Sequence, residues 1–222
     1  MAEHVLPSDI ERSSMEIIRA ELARRGETPP PEIAAVVERV IHATADFDYA
    51  KTLHVTTDAA ALGAAALARG ADIVTDTNMA LSGVSRRALA KLGGEARCFM
   101  AEPFIERAAK ENGTTRAAAA MAYAAGHCPG AVLAVGNAPT ALFEIARQIE
   151  DGFRPALVIA VPVGFVNVVE SKERLVAVCE KYGVPAIAAM GRKGGSSVAA
   201  AICNALLYTA ADMLDPEKRG WQ

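Results

Sequence analysis

The sequence lacks the features that mark several classes of protein. It has no excess of positive charge, because 23 Lys and Arg stand against 26 Asp and Glu in 222 residues, so the broad basic surface that binds nucleic acid through counter-ion release is missing. Its four cysteines lie far apart with no Cys-x-x-Cys pair, which argues against a zinc site, a redox couple or a disulfide framework. We therefore expect a reducing cytoplasm, no nucleic-acid partner and only local binding of any polyanion.

Long apolar runs are missing as well. Two uncharged stretches, Ala117 to Phe143 and Gly194 to Ala211, are interrupted by glycine, proline, asparagine or serine, and neither offers the roughly 20 mostly apolar residues of a membrane span. Met1 to Ser14 carries charges early and lacks the apolar centre of a secretion signal. The sequence therefore predicts a cytoplasmic protein that does not associate with a membrane.

The length favours one domain over residues 1–222. A chain of this size buries roughly 70% of the surface that its unfolded form exposes, so its core needs no disulfide or metal. No repeat of 20 to 50 residues and no long Gly/Ser linker divides it. Only the segment from Asp215 to Gln222 is expected to be a flexible tail.

Five short β-rich runs are mostly apolar rather than alternating, which is typical of strands that are buried on both faces. They are Asp72–Thr75, Ala96–Met100, Ala131–Val135, Ala156–Val161 and Ala186–Met190. Segments of helical composition separate or follow them: Pro103–Glu111, Thr115–Ala125, Ala138–Glu150, Val168–Lys181 and Ser196–Met213. Before them, Ser8 caps one expected helix, and Pro29-Pro30-Pro31 begins another that runs to about Ala45. The pattern predicts a doubly wound α/β fold, with a mostly parallel sheet flanked by helices and an N-terminal helical segment.

Two loops after expected strands have the composition of anion sites. In Gly136-Asn137-Ala138-Pro139-Thr140, Asn137 is a candidate helix cap, and free N–H groups would meet the positive end of a helix dipole. In Gly191 to Ser197, Arg192 and Lys193 lie in a glycine-rich turn that could bind a carboxylate. Neither loop matches a dinucleotide or phosphate-loop fingerprint, and plain turns remain an alternative for both.

Three further residues are candidates on local grounds. Gly164, after Pro162 ends a strand, could admit a flat ligand or could simply form a turn. His42 falls opposite the apolar stripe of its helix, so it is either an exposed surface residue or a proton donor that faces a cleft. Arg116, in the first turn of an alanine-rich helix, opposes the helix dipole, which fits either a ligand role or a surface position.

Several of these segments together resemble the precorrin-8X methylmutase family of vitamin B12 biosynthesis, which includes the cobalt-precorrin-8 methylmutases. The most specific pieces are Gly136 to Phe143, Pro162-Val163-Gly164-Phe165-Val166 with Glu170-Ser171-Lys172, and Gly191-Arg192-Lys193-Gly194-Gly195-Ser196. Supporting pieces are Arg12-Ser13, Ile41-His42-Ala43, Asp76-Thr77 and Thr115-Arg116. The resemblance covers nearly the whole chain.

The resemblance implies an α/β homodimer without a cofactor or a protein-bound metal. The implied enzyme moves a methyl group from C11 to C12 of a corrin-type ring, and His42 is implied as the acid that protonates the ring C nitrogen. The implied ligand is an anionic corrinoid, and neighbouring enzymes of the same pathway are possible partners. The implied substrate-binding residues are Arg12, Ser13, Asp76, Thr77, Arg116, Asn137, Thr140, Gly164, Ser171, Arg192, Lys193, Gly194, Gly195 and Ser196.

Two other functions fit parts of the same pattern. A nucleotide or sugar-phosphate enzyme could use the turn from Gly191 to Ser197 as an anion nest on the same scaffold. A non-catalytic corrinoid carrier would need the same pocket but not the acid at His42.

Overall fold

A computed structural model describes residues 6–220 of the chain, so residues 1–5 of the Met1 to Ser14 segment and residues 221–222 of the expected tail lie outside the described range. The strands are β1 (Leu53–Val55), β2 (Ile73–Thr75), β3 (Ala96–Arg97), β4 (Val132–Val135), β5 (Leu157–Ala160) and β6 (Ala186–Ala189). The helices are α1 (Pro7–Arg25), α2 (Pro31–Thr44), α3 (Tyr49–Thr52), α4 (Ala59–Ala68), α5 (Asn78–Gly83), α6 (Arg86–Leu92), α7 (Pro103–Glu111), α8 (Arg116–His127), α9 (Pro139–Glu150), α10 (Val168–Tyr182) and α11 (Ser196–Ala210), and a 3-10 turn follows at Pro216–Arg219.

The six strands form one sheet in the order β1-β6-β5-β4-β2-β3. All neighbouring pairs are parallel except β1, which runs antiparallel to β6 at one edge. The expected α/β class and the mostly parallel sheet are thus confirmed. The five runs supply the five parallel strands, and β2, β4, β5 and β6 are buried at every position, as strands covered on both faces require.

Helices cover both faces of this sheet. Val158 and Ala160 of β5 pack with α8, α9 and α10, whereas Leu157 and Ile159 pack with α2, α4 and α11 on the other face. The crossovers bring the carboxyl ends of β2, β4, β5 and β6 to one edge of the sheet, which is where ligands bind in open α/β folds.

Three local expectations are wrong. Leu6, not Ser8, is the N-cap of α1; Pro7 takes the first helical position and Ser8 is buried inside the first turn. The short antiparallel strand β1 was not expected, because three residues give too little pattern to identify a strand. Over residues 215–220 the expected flexible tail is a packed turn, in which Pro216 and Arg219 are buried.

Within residues 6–220, no helix is both long enough and apolar enough to cross a membrane.

Candidate active site

Four loops meet at the carboxyl edge of the parallel sheet. We call the segments 76–77, 136–138, 161–167 and 190–195, which follow β2, β4, β5 and β6, the strand-end loops. The Gly195 N–H donates to the Val161 carbonyl at 2.8 Å, and the Gly164 N–H donates to the Arg192 carbonyl at 3.3 Å. The Thr77 and Ser196 hydroxyls are 2.8 Å apart. The fold therefore brings Thr77, Gly164 and the turn from Gly191 to Ser196 together.

Glycine is required where these loops cross. A Cβ on Gly136 would lie 2.7 Å from the Ser196 Cα, and a Cβ on Gly194 would lie 2.1 Å from the Val161 carbonyl oxygen. Gly194 also has a φ of +157°, which L side chains rarely adopt. The glycines of both motifs thus serve the close approach of the loops to one another.

Asp76 occupies the first expected anion site. Its carboxylate accepts hydrogen bonds of 2.8 Å from the N–H groups of Gly136, Asn137 and Ala138, and the side chain is fully buried. Burial raises the pKa of Asp76, and the N–H bonds oppose that rise. The prediction that these N–H groups await a ligand is wrong, because an internal carboxylate already holds them.

The neighbouring residues of that loop differ from expectation in one respect. Ala138, not Asn137, is the N-cap of α9, and Asn137 is exposed.

The N-termini of α8 and α9 are joined by a hydrogen bond of 2.8 Å between the hydroxyls of Thr115, the N-cap of α8, and Thr140, in the first turn of α9. Arg116 follows Thr115, is exposed, and forms no ion pair within the described part of the chain. Thr140 and Arg116 therefore lie close together at two adjacent helix N-termini.

Ser171 is buried inside α10 and donates to the Val168 carbonyl at 2.9 Å. In this arrangement its hydroxyl stabilises the start of α10, so the implied direct contact with a ligand is not supported. The next residue, Lys172, is fully buried as well, and its ammonium donates to the carbonyls of Gly191 and Lys193, both at 2.9 Å. Burial lowers the pKa of Lys172 to about 8. Lys172 belongs to the motif Glu170-Ser171-Lys172, but its position in the sequence indicates no role for it.

The two loop cations differ in their charge balance. Lys193 binds Asp46 at 2.7 Å and Asp48 at 2.6 Å, and these hydrogen bonds raise its pKa. Arg192 is exposed, stacks at 5.6 Å on the Phe165 ring, and forms no ion pair among residues 6–220. Arg192, unlike Lys193, therefore keeps its charge for an external anion.

The same edge carries an unusual amount of exposed apolar surface. Phe165 is 83% exposed, Val166 78% and Met79 74%. Large apolar side chains seldom cluster in water without a ligand or a partner to cover them. This surface lies beside Arg192, so a flat apolar body with anionic arms fits it chemically.

His42 lies near the carboxyl end of α2. Just beyond that end, Asp46 and Asp48 form ion pairs with Lys193, which belongs to the loop after β6. The side chain is exposed on the outer face of the helix, as its position opposite the apolar stripe predicted. The pKa of His42 is lowered, mainly by partial burial and then by the positive charges of Arg39 and Arg219. The negative charge of Glu11 acts in the opposite direction and raises this pKa. The lowered pKa makes the protonated imidazole a stronger acid than an ordinary histidine.

A buried ion cluster lies next to His42. Glu11 accepts from Arg219 at 2.7 Å and from Arg39 at 2.6 Å, and both arginines lie over the Tyr208 ring. No pattern in the sequence signalled this cluster, because Glu11 and Arg219 are 208 positions apart.

Arg12 and Ser13 lie elsewhere. Arg12 binds Glu217 at 2.8 Å and Asp9 at 3.2 Å, on the side of the C-terminal turn. Within residues 6–220 neither Arg12 nor Ser13 forms a hydrogen bond or an ion pair with a strand-end loop. The single chain therefore does not bring these two residues into the site.

A cavity of about 500 Å³ lined by Phe104, Tyr123 and Glu144 lies among α7, α8 and α9 and includes neither His42 nor Arg192. Among the described residues, no cluster of three or more His, Cys, Asp or Glu side chains could hold a metal ion.

Comparison with known proteins gives consistent results. The family model described as precorrin-8X methylmutase matches residues 9–209. The chain is 46% identical over 209 residues to the cobalt-precorrin-8 methylmutase of Salmonella typhimurium, covering 91% of this chain and 95% of that protein. It is 41% identical over 198 residues to the precorrin-8X methylmutase of Pseudomonas aeruginosa, covering 89% and 93%.

A solved structure has the same fold. The precorrin-8X methylmutase from Thermus thermophilus superimposes with a TM-score of 0.80 at 38% identity, covering 91% of this chain and 98% of that one. Matches of this extent and identity show that the chain is an isomerase and belongs to the precorrin-8X methylmutase family.

Proposed function

We propose that this enzyme moves the methyl group of precorrin-8X or cobalt-precorrin-8 from C11 to C12, giving hydrogenobyrinate or cob(II)yrinate in cobalamin biosynthesis. The observation that carries the proposal is the family match over residues 9–209, together with relatives of that name over about nine tenths of the chain. The reaction is a 1,5-sigmatropic shift within one molecule, so the protein need not supply a nucleophile. Its tasks are to hold a large ring in one orientation and to alter the distribution of its electrons.

His42 is the proposed general acid. Protonation of the ring C nitrogen would make the conjugated system electron-poor next to the migrating methyl group. One positioned acid accelerates a reaction by about 10² to 10⁴, which is roughly 3 to 5 kcal/mol of barrier. The lowered pKa of His42 supports this role, since it makes the imidazolium a better donor.

The strand-end loops are the proposed substrate cradle. Arg192 and Arg116 are exposed cations without an ion-pair partner in the described chain, and each could bind a carboxylate arm of the corrinoid. Thr77, Asn137, Thr140 and Ser196 offer polar groups beside them. Phe165 and Val166 would pack on a face of the ring. Asp76 and Ser171 act indirectly, by holding the loop after β4 and the start of α10.

We further propose that two copies of the chain form a homodimer over this edge. The exposed side chains of His42, Phe165, Val166 and Met79 support a second copy as the cover. A second copy would also explain how Arg12 and Ser13, which lie outside the strand-end loops in one chain, could serve a site on the other.

The proposal is tested by mixing the purified protein with precorrin-8X and with cobalt-precorrin-8 and recording absorption spectra. Migration of the methyl group changes the conjugation, so catalysis is expected to change the colour at substoichiometric protein. If the protein bound the corrinoid but the spectrum of the excess substrate did not change, the protein would be a carrier and not an enzyme. A rise in melting temperature with nucleotides but not with corrinoids would exclude both corrinoid functions.

A further inference from the structure

Lys172 is a buried charge directly beneath the loop after β6. Its side chain is 0% exposed, and its ammonium donates to the carbonyls of Gly191 and Lys193, which flank Arg192 on either side. Neutral carbonyls satisfy the hydrogen bonds of an ammonium but do not balance its charge. A buried charge is costly unless it is paired as well as hydrogen-bonded.

Within residues 6–220 no carboxylate balances this charge. Glu170 and Glu173 on the same helix are exposed and form no ion pair with Lys172, and Asp46 and Asp48 are bound to Lys193. The other charged groups on the loop, Arg192 and Lys193, are cations. Burial is accordingly the one cause of the low pKa of Lys172, about 8.

The lysine also sets the direction of two peptide groups. In a planar trans peptide the C=O and the N–H point in opposite directions. Because the carbonyls of Gly191 and Lys193 point at the ammonium, the N–H groups of Arg192 and Gly194 point away from it. Neither of these N–H groups has a hydrogen-bond acceptor among the described residues. We call these two N–H groups and the Arg192 guanidinium the candidate anion nest, because all three are donors of one loop that an anion could accept from.

We propose that Lys172 is a positioning residue that orients this nest, and that a carboxylate arm of the substrate, bound by the Arg192 and Gly194 N–H groups, supplies its missing counter-charge. The inference rests on the proposed function, because it requires a corrinoid with carboxylate arms. It goes beyond that function by assigning one anion position to a residue that never touches the ligand.

The test compares two corrinoids that differ in their arms. Cobyrinate carries carboxylates, and cobinamide carries amides in their place. Equilibrium dissociation constants for both are measured with wild type, Lys172→Met, Lys172→Gln and, as a control, Lys181→Met on the exposed face of α10. We expect Lys172→Met to weaken cobyrinate binding at least about tenfold and to change cobinamide binding little, with no effect of Lys181→Met.

Lys172→Gln separates charge from hydrogen bonding, because it keeps donors but is neutral. We expect it to remain as weak as Lys172→Met toward cobyrinate. Full recovery in Lys172→Gln, equal losses for both corrinoids, or no loss for either would each overturn the assignment.

A measurement on the wild type covers the case in which Lys172 variants do not fold. A bound carboxylate raises the pKa of the lysine, so cobyrinate should bind tightly below pH about 8 and progressively more weakly above it. Cobinamide binding should not change over that range, and a flat profile for both corrinoids contradicts the inference. Wild type that binds neither corrinoid would overturn the proposed function, and this inference with it.

Discussion

His42 is the side chain on which the proposed chemistry depends. Its replacement by alanine removes the acid but leaves the strand-end loops intact, because His42 is exposed on the outer face of α2. We expect His42→Ala to bind hydrogenobyrinate normally and to lose at least about 10²-fold in kcat. Absorption changes during turnover would measure the rate, and titration with hydrogenobyrinate would measure product binding. Unchanged turnover would remove His42 from the mechanism.

The pH dependence of the same residue has a definite sign. The acid must be protonated, and the pKa of His42 lies below its usual 6.5 in the free protein. We therefore expect kcat/KM to fall as the pH rises through that lowered pKa, provided that protonation by His42 limits the rate. The corresponding limb should be missing from the residual activity of His42→Ala.

Arg192 is the loop cation whose charge remains unbalanced within the described chain. We expect Arg192→Ala to weaken corrinoid binding more at low salt than at high salt, because ions screen the attraction between an exposed guanidinium and a carboxylate. Arg69→Ala is a suitable control, since Arg69 is exposed at the end of α4, where the chain enters rather than leaves the sheet. Identical affinities of wild type and Arg192→Ala at low salt would contradict a carboxylate contact.

The loop between β6 and α11 depends on its backbone conformation, because it packs closely against the Val161 carbonyl. Gly194→Ala would place a Cβ against the Val161 carbonyl and force the loop to move. We expect a loss of at least about 1 kcal/mol in stability, as for alanine placed at an incompatible glycine position, together with weaker corrinoid binding. Chemical unfolding and titration would show both effects.

Gly126 in α8 supplies the comparison. A Cβ there meets no atom within 4 Å, and its φ is not in the left-handed region. Gly126→Ala should stabilise the helix by about 0.5 to 1 kcal/mol and leave binding unchanged. If both alanine variants bound corrinoid equally, the close crossing of the loops would be irrelevant to the site.

Across the whole molecule, Glu11 and Arg219 join the first helix to the C-terminal turn. Removing one partner of a buried ion pair leaves an uncompensated charge, which costs about 3 to 5 kcal/mol. We expect Glu11→Gln to lose about that much stability at pH 7, whereas Glu16→Gln, at an exposed position on α1, should stay within about 0.5 kcal/mol. Urea unfolding would measure both.

The pH dependence of this effect follows from the lowered pKa of Glu11. Arg219 and Arg39 hold the carboxylate ionised in the folded state, against the opposing effect of burial, so its stabilisation is fully present above the ordinary value of 4.5 and is lost as the pH falls through the lowered folded-state pKa. The stability gap between wild type and Glu11→Gln should therefore narrow in acid. A gap that stayed constant down to pH about 2 would show that the Glu11 charge is not responsible.

The sequence by itself determined the class of the fold and the location of the main loops. Runs such as Ala131–Val135 and Ala186–Met190 are short and apolar at every position, which is typical of strands buried on both faces. The glycine motifs marked the loops after β4 and β6, because close backbone contact excludes side chains there. His42 could be placed on the outer face of α2 from helical periodicity alone.

Only the tertiary structure decided which groups in the site are already satisfied. The N–H groups of Gly136 to Ala138 bind Asp76, Lys193 binds Asp46 and Asp48, and Lys172 lies beneath Arg192. Glu11 meets Arg219 across the length of the chain. Periodicity and local motifs report on neighbours within a few positions, whereas hydrogen bonds and ion pairs depend on distances in space, and long-range folding alone sets those distances.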